Sequence, residues 1–165
     1  MPAFHIRASQ LSDLPAILSM VEHLAADHFT YDAERFVLSS PDDLPHVYKD
    51  WLIRSQSTPD ILYLIAEETT SPIPATGYLI AESFAAQAQY WSPAHVYIHD
   101  IYCAAHARHS GLGHALIAHA KHWAKSKNIT QIRGLIASEN KAASAFFIKK
   151  GFRIAAHEMV YDLHE

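Results

Sequence analysis

Arg108-His109-Ser110-Gly111-Leu112-Gly113 is the stretch on which the fold turns. Before it, His95 to Cys103 is apolar and β-rich, and reads as a strand. After it, Gly111 to Lys125 places Leu112, Leu116, Ala120 and Trp123 on one helical face. A strand that turns through glycines into a helix makes an anion site. The first N–H groups of the helix point outward, and the helix dipole adds positive potential. Glycines let backbone approach a pyrophosphate with no Cβ in the way.

Two nucleotide fingerprints compete for the same residues. The dinucleotide loop needs a third glycine, and the equivalent position is Leu116. It also usually opens a domain, whereas this loop begins at position 108. The ATP loop needs Gly-Lys-Ser/Thr, which is absent. Both readings fail on these residues.

Working outward, Phe4 to Ala8 reads as a first strand. Ser12 or Asp13 can cap a helix with Pro15 in its first turn, and Leu14, Ile17, Leu18, Val21 and Leu24 form its stripe. Tyr31 to Ser40 is ambiguous. Ser40-Pro41-Asp42-Asp43 starts a second helix, with Leu44, Val47, Tyr48, Trp51 and Leu52 at helical spacing. Ile61 to Glu67 and Gly77 to Phe84 are strands joined by a turn that holds Pro72 and Pro74. Beyond the loop, Ile129 to Ala137 reads as a strand and Asn140 to Lys150 as a helix stopped by Gly151. Phe152 to Ala156 and Glu158 to Leu163 read as two closing strands. The expectation is one α/β domain over residues 1–165, a mixed central sheet of about seven strands with four helices.

Composition bounds the function. The chain has 165 residues, one domain's worth, and half of them are hydrophobic. No apolar run approaches the roughly 20 residues of a membrane span, and the first residues hold no signal-peptide core. Cys103 is the only cysteine, so no internal disulfide forms, which suits a cytoplasmic location. A net charge of −4 argues against nucleic-acid binding. Residues 1–60 carry nine acids against four Lys/Arg, a balance of −5, while residues 61–165 balance at +1. A basic half suits an anionic cofactor and an acidic half a cationic substrate; solvated surface charge is the plainer account. The 13 histidines form no convergent cluster with carboxylate or thiolate support, so no metal is expected.

The two glycine-bearing segments together resemble the GNAT superfamily of acyl-CoA-dependent N-acyltransferases. Residues Arg108 to Gly113 match its Arg/Gln-x-x-Gly-x-Gly/Ala loop. Asn140 to Phe152 match its Asn-x-x-Ala-x-x-Leu/Phe-Tyr-x-x-x-Gly-Phe pattern. The match is specific over residues 95–163 and only topological over 1–94. The resemblance implies that the backbone of Arg108, His109, Ser110, Gly111, Leu112, Gly113 and His114 holds the pyrophosphate of coenzyme A. It implies that Ile101, Cys103, Asn140, Ala143, Phe146 and Phe147 surround the pantetheine and thioester. In such enzymes the strand carrying Cys103 splays from the next one, and the arm lies between them. Core packing is the other account of Phe146 and Phe152. A dimer through edge strands is common in the family, so a homodimer is expected.

The implied reaction is direct attack of a primary amine on acetyl-CoA. A lysine-like amine has a pKa of about 10.4, and neutralising it at pH 7 costs roughly 4 to 5 kcal/mol. A general base lowers that barrier. Candidates lie in His95 to Cys103. His99 comes first, because imidazole titrates near neutrality, and Asp100 second. Strand alternation puts His99 with Tyr97 on one face and Asp100 on the other, unless a bulge intervenes. The family's usual acid is a tyrosine, and here that position is Phe147. Solvent, Tyr102 or Tyr161 would supply the proton instead. Cys103 could be a nucleophile, or simply a small apolar core residue. The acceptor would meet Asp27, His28, Tyr31, Tyr90, Trp91 and Tyr97, with Asp32 and Glu34 nearby. Acids beside aromatics suit an ammonium group. A non-catalytic acyl-CoA-binding or sensor domain is the alternative, motivated by Phe147.

Overall fold

The computed structural model describes residues 4–37, 41–69 and 75–163. The expected turn at Pro72 and Pro74, and Leu38 to Ser40, which end the ambiguous stretch and hold the first residue of the expected second helix start, lie outside these residues.

Among the described residues five strands and four α-helices follow in order: β1 (Phe4–Ala8), α1 (Leu14–Tyr31), α2 (Leu44–Ser57), β2 (Ile61–Glu68), β3 (Ala75–Phe84), β4 (His95–Cys103), α3 (Leu112–Ser126), β5 (Gln131–Gly134) and α4 (Lys141–Lys149). The strands form one sheet in the order β1-β2-β3-β4-β5. All neighbours are antiparallel except β4 and β5, which run parallel across the α3 crossover. Such a connection needs a dozen or more residues, and α3 supplies them.

The four helices stand where the spacing puts them. The sheet does not: it has five strands among the described residues, not about seven. Phe152 to Ala156 and Glu158 to Leu163 make no strand ladder. Their alternation is real, but a strand exists only where a neighbour completes its hydrogen bonds. The strand expected over Ile129 to Ala137 is likewise shortened to Gln131–Gly134.

Apolar residues on both faces explain the continuous hydrophobic runs of β2 and β3. On one face Leu64, Leu79, Val96 and Ile98 pack against Leu112, Leu116 and Ile117 of α3. On the other Tyr63, Ile65, Tyr78 and Ile80 pack against Ile17 and Val21 of α1 and Leu52 of α2. The start of α1 is fastened by a short 3-10 turn, Leu11–Asp13, with a capping box between Gln10 and Asp13. Arg7 joins Asp13 at 2.7 Å and Glu67 at 2.6 Å, tying β1 and β2 to that turn. Both carboxyls are held below their usual range, first by the hydrogen bonds from Arg7.

Candidate active site

The glycine loop ends where the sequence places it. Gly111 is the N-cap of α3 at φ +97°, a left-handed conformation that strains any residue with a Cβ. No side chain caps this helix end. Ala115 is the residue whose N–H returns to the Gly111 carbonyl, at 3.0 Å. The amides before it at the helix start have no intrahelical acceptor. His109 also has positive φ, +63°. Ser110 donates to the Ala107 carbonyl at 2.5 Å and holds the turn. Arg108 folds back instead of outward: its Nε donates to the Cys103 carbonyl at 3.2 Å, and its guanidinium lies 3.6 Å from Asp27 of α1.

Beside this loop β4 and β5 part company. Their parallel pairing runs from His95 opposite Gln131 to Ile98 opposite Gly134, and stops. From His99 to Cys103 the β5-facing edge of β4 has no strand partner among the described residues. Backbone N–H and C=O groups on that edge suit an extended ligand, apart from the Cys103 carbonyl, which already accepts from Arg108. Ile101 and Cys103 pack against the α3-side core, with Phe146, Phe147 and Phe152 in the same cluster. Phe147 meets Phe146 and Phe152 edge-on, at centroid distances of 5.3 and 5.0 Å. Gly113 allows the closeness of α3 and α4: a Cβ there would lie 3.2 Å from Phe146 Cζ and 3.6 Å from Cys103 Sγ. The Cys103 thiol is pushed up to about 11 by burial. A thiol of that kind is a poor nucleophile, because only the thiolate attacks.

Asn140 has a structural task. Its Oδ1 accepts the N–H of Ala143 at 3.0 Å and caps α4. That bond leaves the carboxamide nitrogen outside the cap.

The other face of β4 carries the titratable groups, and a bulge arranges them. Ile80 of β3 lies opposite Asp100, while the next residue, Ala81, lies opposite Ile98. His99 is the extra residue between them. A bulge interrupts alternation, so His99 and Asp100 both face α2 instead of opposite sides. His99 rests against the Trp51 ring of α2, 4.6 Å between centroids, and against Tyr97 at 5.1 Å. Its Nε2 lies 3.3 Å from Oε2 of Glu82, whose other oxygen accepts from Arg54 at 3.0 Å. Half-buried Asp100 accepts from the Tyr48 hydroxyl at 2.6 Å and from Tyr78 at 3.2 Å, both on Oδ2. Burial pushes the Asp100 carboxyl above its usual range, against the two phenols that lower it. Burial and the Asp100 charge push the Tyr48 phenol well up.

Tyr48, Trp51, Tyr78 and Glu82 were not among the candidates. Tyr48 and Trp51 sit on the apolar stripe of α2 and read as core. Glu82 carried a usable signal: it is the one charged residue in the apolar run Gly77 to Phe84.

The acceptor candidates divide. Tyr97 stands beside His99. Asp27, His28 and Tyr31 share the last turns of α1, with the His28 ring 5.9 Å from Tyr31 and 4.9 Å from Phe36. Tyr90 and Trp91 stand in solvent ahead of β4, Trp91 at positive φ. Tyr102 is buried and stacks on Tyr78 at 6.2 Å. Tyr161 lies on the closing segment and is 86% exposed. That segment crosses to the α1 side, where Glu158 accepts two bonds from Arg35 at 3.0 and 3.1 Å. Among the described residues no group of three His, Cys, Asp or Glu is placed to hold a metal. No described helix is long and apolar enough to cross a membrane.

This geometry agrees with the comparisons. The sequence matches the acetyltransferase (GNAT) family over residues 19–152. Curated protein sequences contain no match. The fold is similar to a tetramutant of the BH1408 protein of Bacillus halodurans, with a TM-score of 0.82 and 16% identity, covering 96% of this chain and 99% of the other. It is similar to glucosamine-6-phosphate N-acetyltransferase of Arabidopsis thaliana, with a TM-score of 0.70 and 19% identity over 98% and 99% of the two chains. It is also similar to the PaiA N-acetyltransferase of Thermoplasma acidophilum in complex with coenzyme A, with a TM-score of 0.71 and 19% identity over 94% and 93%.

Proposed function

The chain belongs to the acetyltransferase (GNAT) family, and from that premise we propose that it moves an acetyl group from acetyl-CoA directly onto a cationic primary amine. One observation carries the reading: β4 and β5 separate at Ile98 and Gly134 beside a glycine-opened, uncapped helix start. The residues present fit the ligand. The α3 amides suit a pyrophosphate, and the unpartnered edge of β4 suits the amide-bearing pantetheine arm.

Acetyl-CoA supplies the activated thioester; the chain supplies the rest. Backbone N–H groups on the freed edge of β4 are donors for charge that develops on the carbonyl oxygen. His99 takes the proton of the attacking amine, with Glu82 fixing the ring from behind and Trp51 from the side. Asp100 is tied to two phenols and stays in place as a fixed negative charge that attracts the ammonium group. Phe147 has no proton to give, and the buried Tyr102 phenol is pushed up by burial, which makes it a poor donor. Solvent then protonates the departing thiolate, whose conjugate thiol has a pKa of only about 8.5.

The test is an acceptor screen with thiol detection, using acetyl-CoA and amines of differing charge. Release that depends on a cationic amine is the expected result. Acetyl-CoA binding without release for any amine would favour the second reading, a non-catalytic acyl-CoA-binding domain, which Phe147 motivates. No binding at all would reject both.

A further inference from the structure

Four side chains from three elements close a ring at the bulge of β4. The His99 imidazole rests on the Trp51 ring of α2, with 4.6 Å between centroids. Its Nε2 lies 3.3 Å from Oε2 of Glu82 on β3. The second Glu82 oxygen, Oε1, accepts from Arg54 of α2 at 3.0 Å. Arg54 in turn lies over the Trp51 ring, 5.0 Å from its centroid. Trp51 and Arg54 are three residues apart, so α2 presents them on one face. The Glu82 side chain is only 18% exposed, and a partly buried pair is screened less by salt than a surface one.

Contact with a carboxylate decides which ring nitrogen holds the proton. A lone pair on Nε2 would face Oε2 and be repelled by its charge, whereas an N–H there is attracted. The neutral ring therefore carries its proton on Nε2 and its lone pair on Nδ1. Nδ1 has no hydrogen-bond partner among the described residues. A lone carboxylate would also favour the protonated ring, and a protonated ring cannot take a proton from an amine. Arg54 opposes that tendency by engaging the other oxygen of Glu82.

We propose that Glu82 and Arg54 are positioning residues that act on His99 in opposite directions. Glu82 holds the ring proton on Nε2 and so makes Nδ1 the atom that takes the proton of the amine. Arg54 draws on the charge of Glu82 and keeps the ring free to accept that proton, which passes from Nδ1 to solvent after transfer. This deepens the reading of His99 as the base and rests on it. The other titratable groups near the ring are Asp100 and Tyr97 on its own strand and His28 of α1, whose charge reaches Asp100. They stay the same in every variant below.

The experiment reads the ring directly in the full chain. A long-range proton–nitrogen NMR spectrum reports the protonation of each ring nitrogen, and His99→Gln identifies the His99 signals. Neutral His99 should carry its proton on Nε2. Its titration should move to lower pH by about one unit in Glu82→Gln and to higher pH in Arg54→Met. In the Glu82→Gln background, Arg54→Met should lose most of its effect, because it acts through Glu82. The rising limb of the acetyl-transfer rate should move in the same two directions, whereas a merely structural loss would lower the rate without moving the limb. The tautomer needs only the wild type, and Arg54 is half exposed, so these arms do not depend on Glu82→Gln folding. A proton on Nδ1, a titration unmoved by Glu82→Gln, or shifts of the same sign in the two single variants would overturn the inference. A ring titration that moves while the rate limb stays would instead reject His99 as the base, and the positioning role with it.

Discussion

At Asp100, charge works against the fold. Its carboxyl is raised by burial. A group raised in the folded state stabilises it below the unfolded pKa of about 3.9, and that contribution is lost as pH rises through the folded value. Asp100→Asn keeps an acceptor for Tyr48 and Tyr78 without the charge. The variant should melt above wild type at neutral pH, and the gap should close as pH falls toward about 4. A variant that melts lower at neutral pH would show that the phenols outweigh desolvation. Activity separates Asp100 from its neighbour. With His99 as base, Asp100→Asn retains a pH-dependent rate, whereas His99→Ala removes the rising limb and leaves acetyl-CoA binding intact. The amine itself also titrates, so two acceptors of different basicity should be compared. A limb that follows the acceptor and survives in His99→Ala would reject the base assignment. With no phenol acting as acid, the profile should level off at high pH. A falling limb near pH 10 that vanishes in Tyr102→Phe or Tyr161→Phe would move the acid role to that residue.

At the level of elements, the junction of β4 with α3 is the part most sensitive to a single Cβ. The two glycines act differently. Gly111 has open space around it but a positive φ, so Gly111→Val strains the backbone that aims the amides. Gly113→Ala meets the Phe146 ring and narrows the gap between α3 and α4. At a hundredfold excess over its dissociation constant, acetyl-CoA should stabilise the wild type by about 2.7 kcal/mol. Melting shifts should be nearly lost in Gly111→Val, once circular dichroism shows the variant to be folded. An equal shift in both proteins would reject the loop as the pyrophosphate site.

Across the whole molecule, charge is divided along the chain. The acidic first 60 residues supply α1 and α2, which pack on one face of the sheet with Tyr48 and Trp51 of α2 at the bulge of β4, while the glycine loop lies in the half that balances at +1. Attraction of a cationic acceptor to exposed acids is screened by salt, with a length of about 8 Å at physiological strength. The apparent acceptor affinity should fall as salt rises, while the melting response at saturating acetyl-CoA is retained. A neutral or anionic amine that wins the screen would overturn the cationic assignment.

What the sequence determined by itself is what depends on neighbours along the chain. The loop at Arg108 to Gly113, the stripes of α1 to α4, the glycine stop at Gly151 and the order of elements all rest on local spacing, and all four helices stand near their expected bounds. The family's motifs were legible for the same reason. The tertiary structure decided what depends on pairing between distant strands. Alternation put His99 and Asp100 on opposite faces; only the register of β4 against β3 reveals the bulge that turns both toward Trp51 and Tyr48. Tyr48 and Tyr78 read as core until Asp100 came within reach of their hydroxyls. Asn140 read as a ligand for the pantetheine arm, and the helix start at Lys141 makes it a cap as well. The closing segment read as two strands because its residues alternate. Alternation specifies which side chains share a face, but a strand also needs an edge to bind, and the chain's own β5 does not take it up.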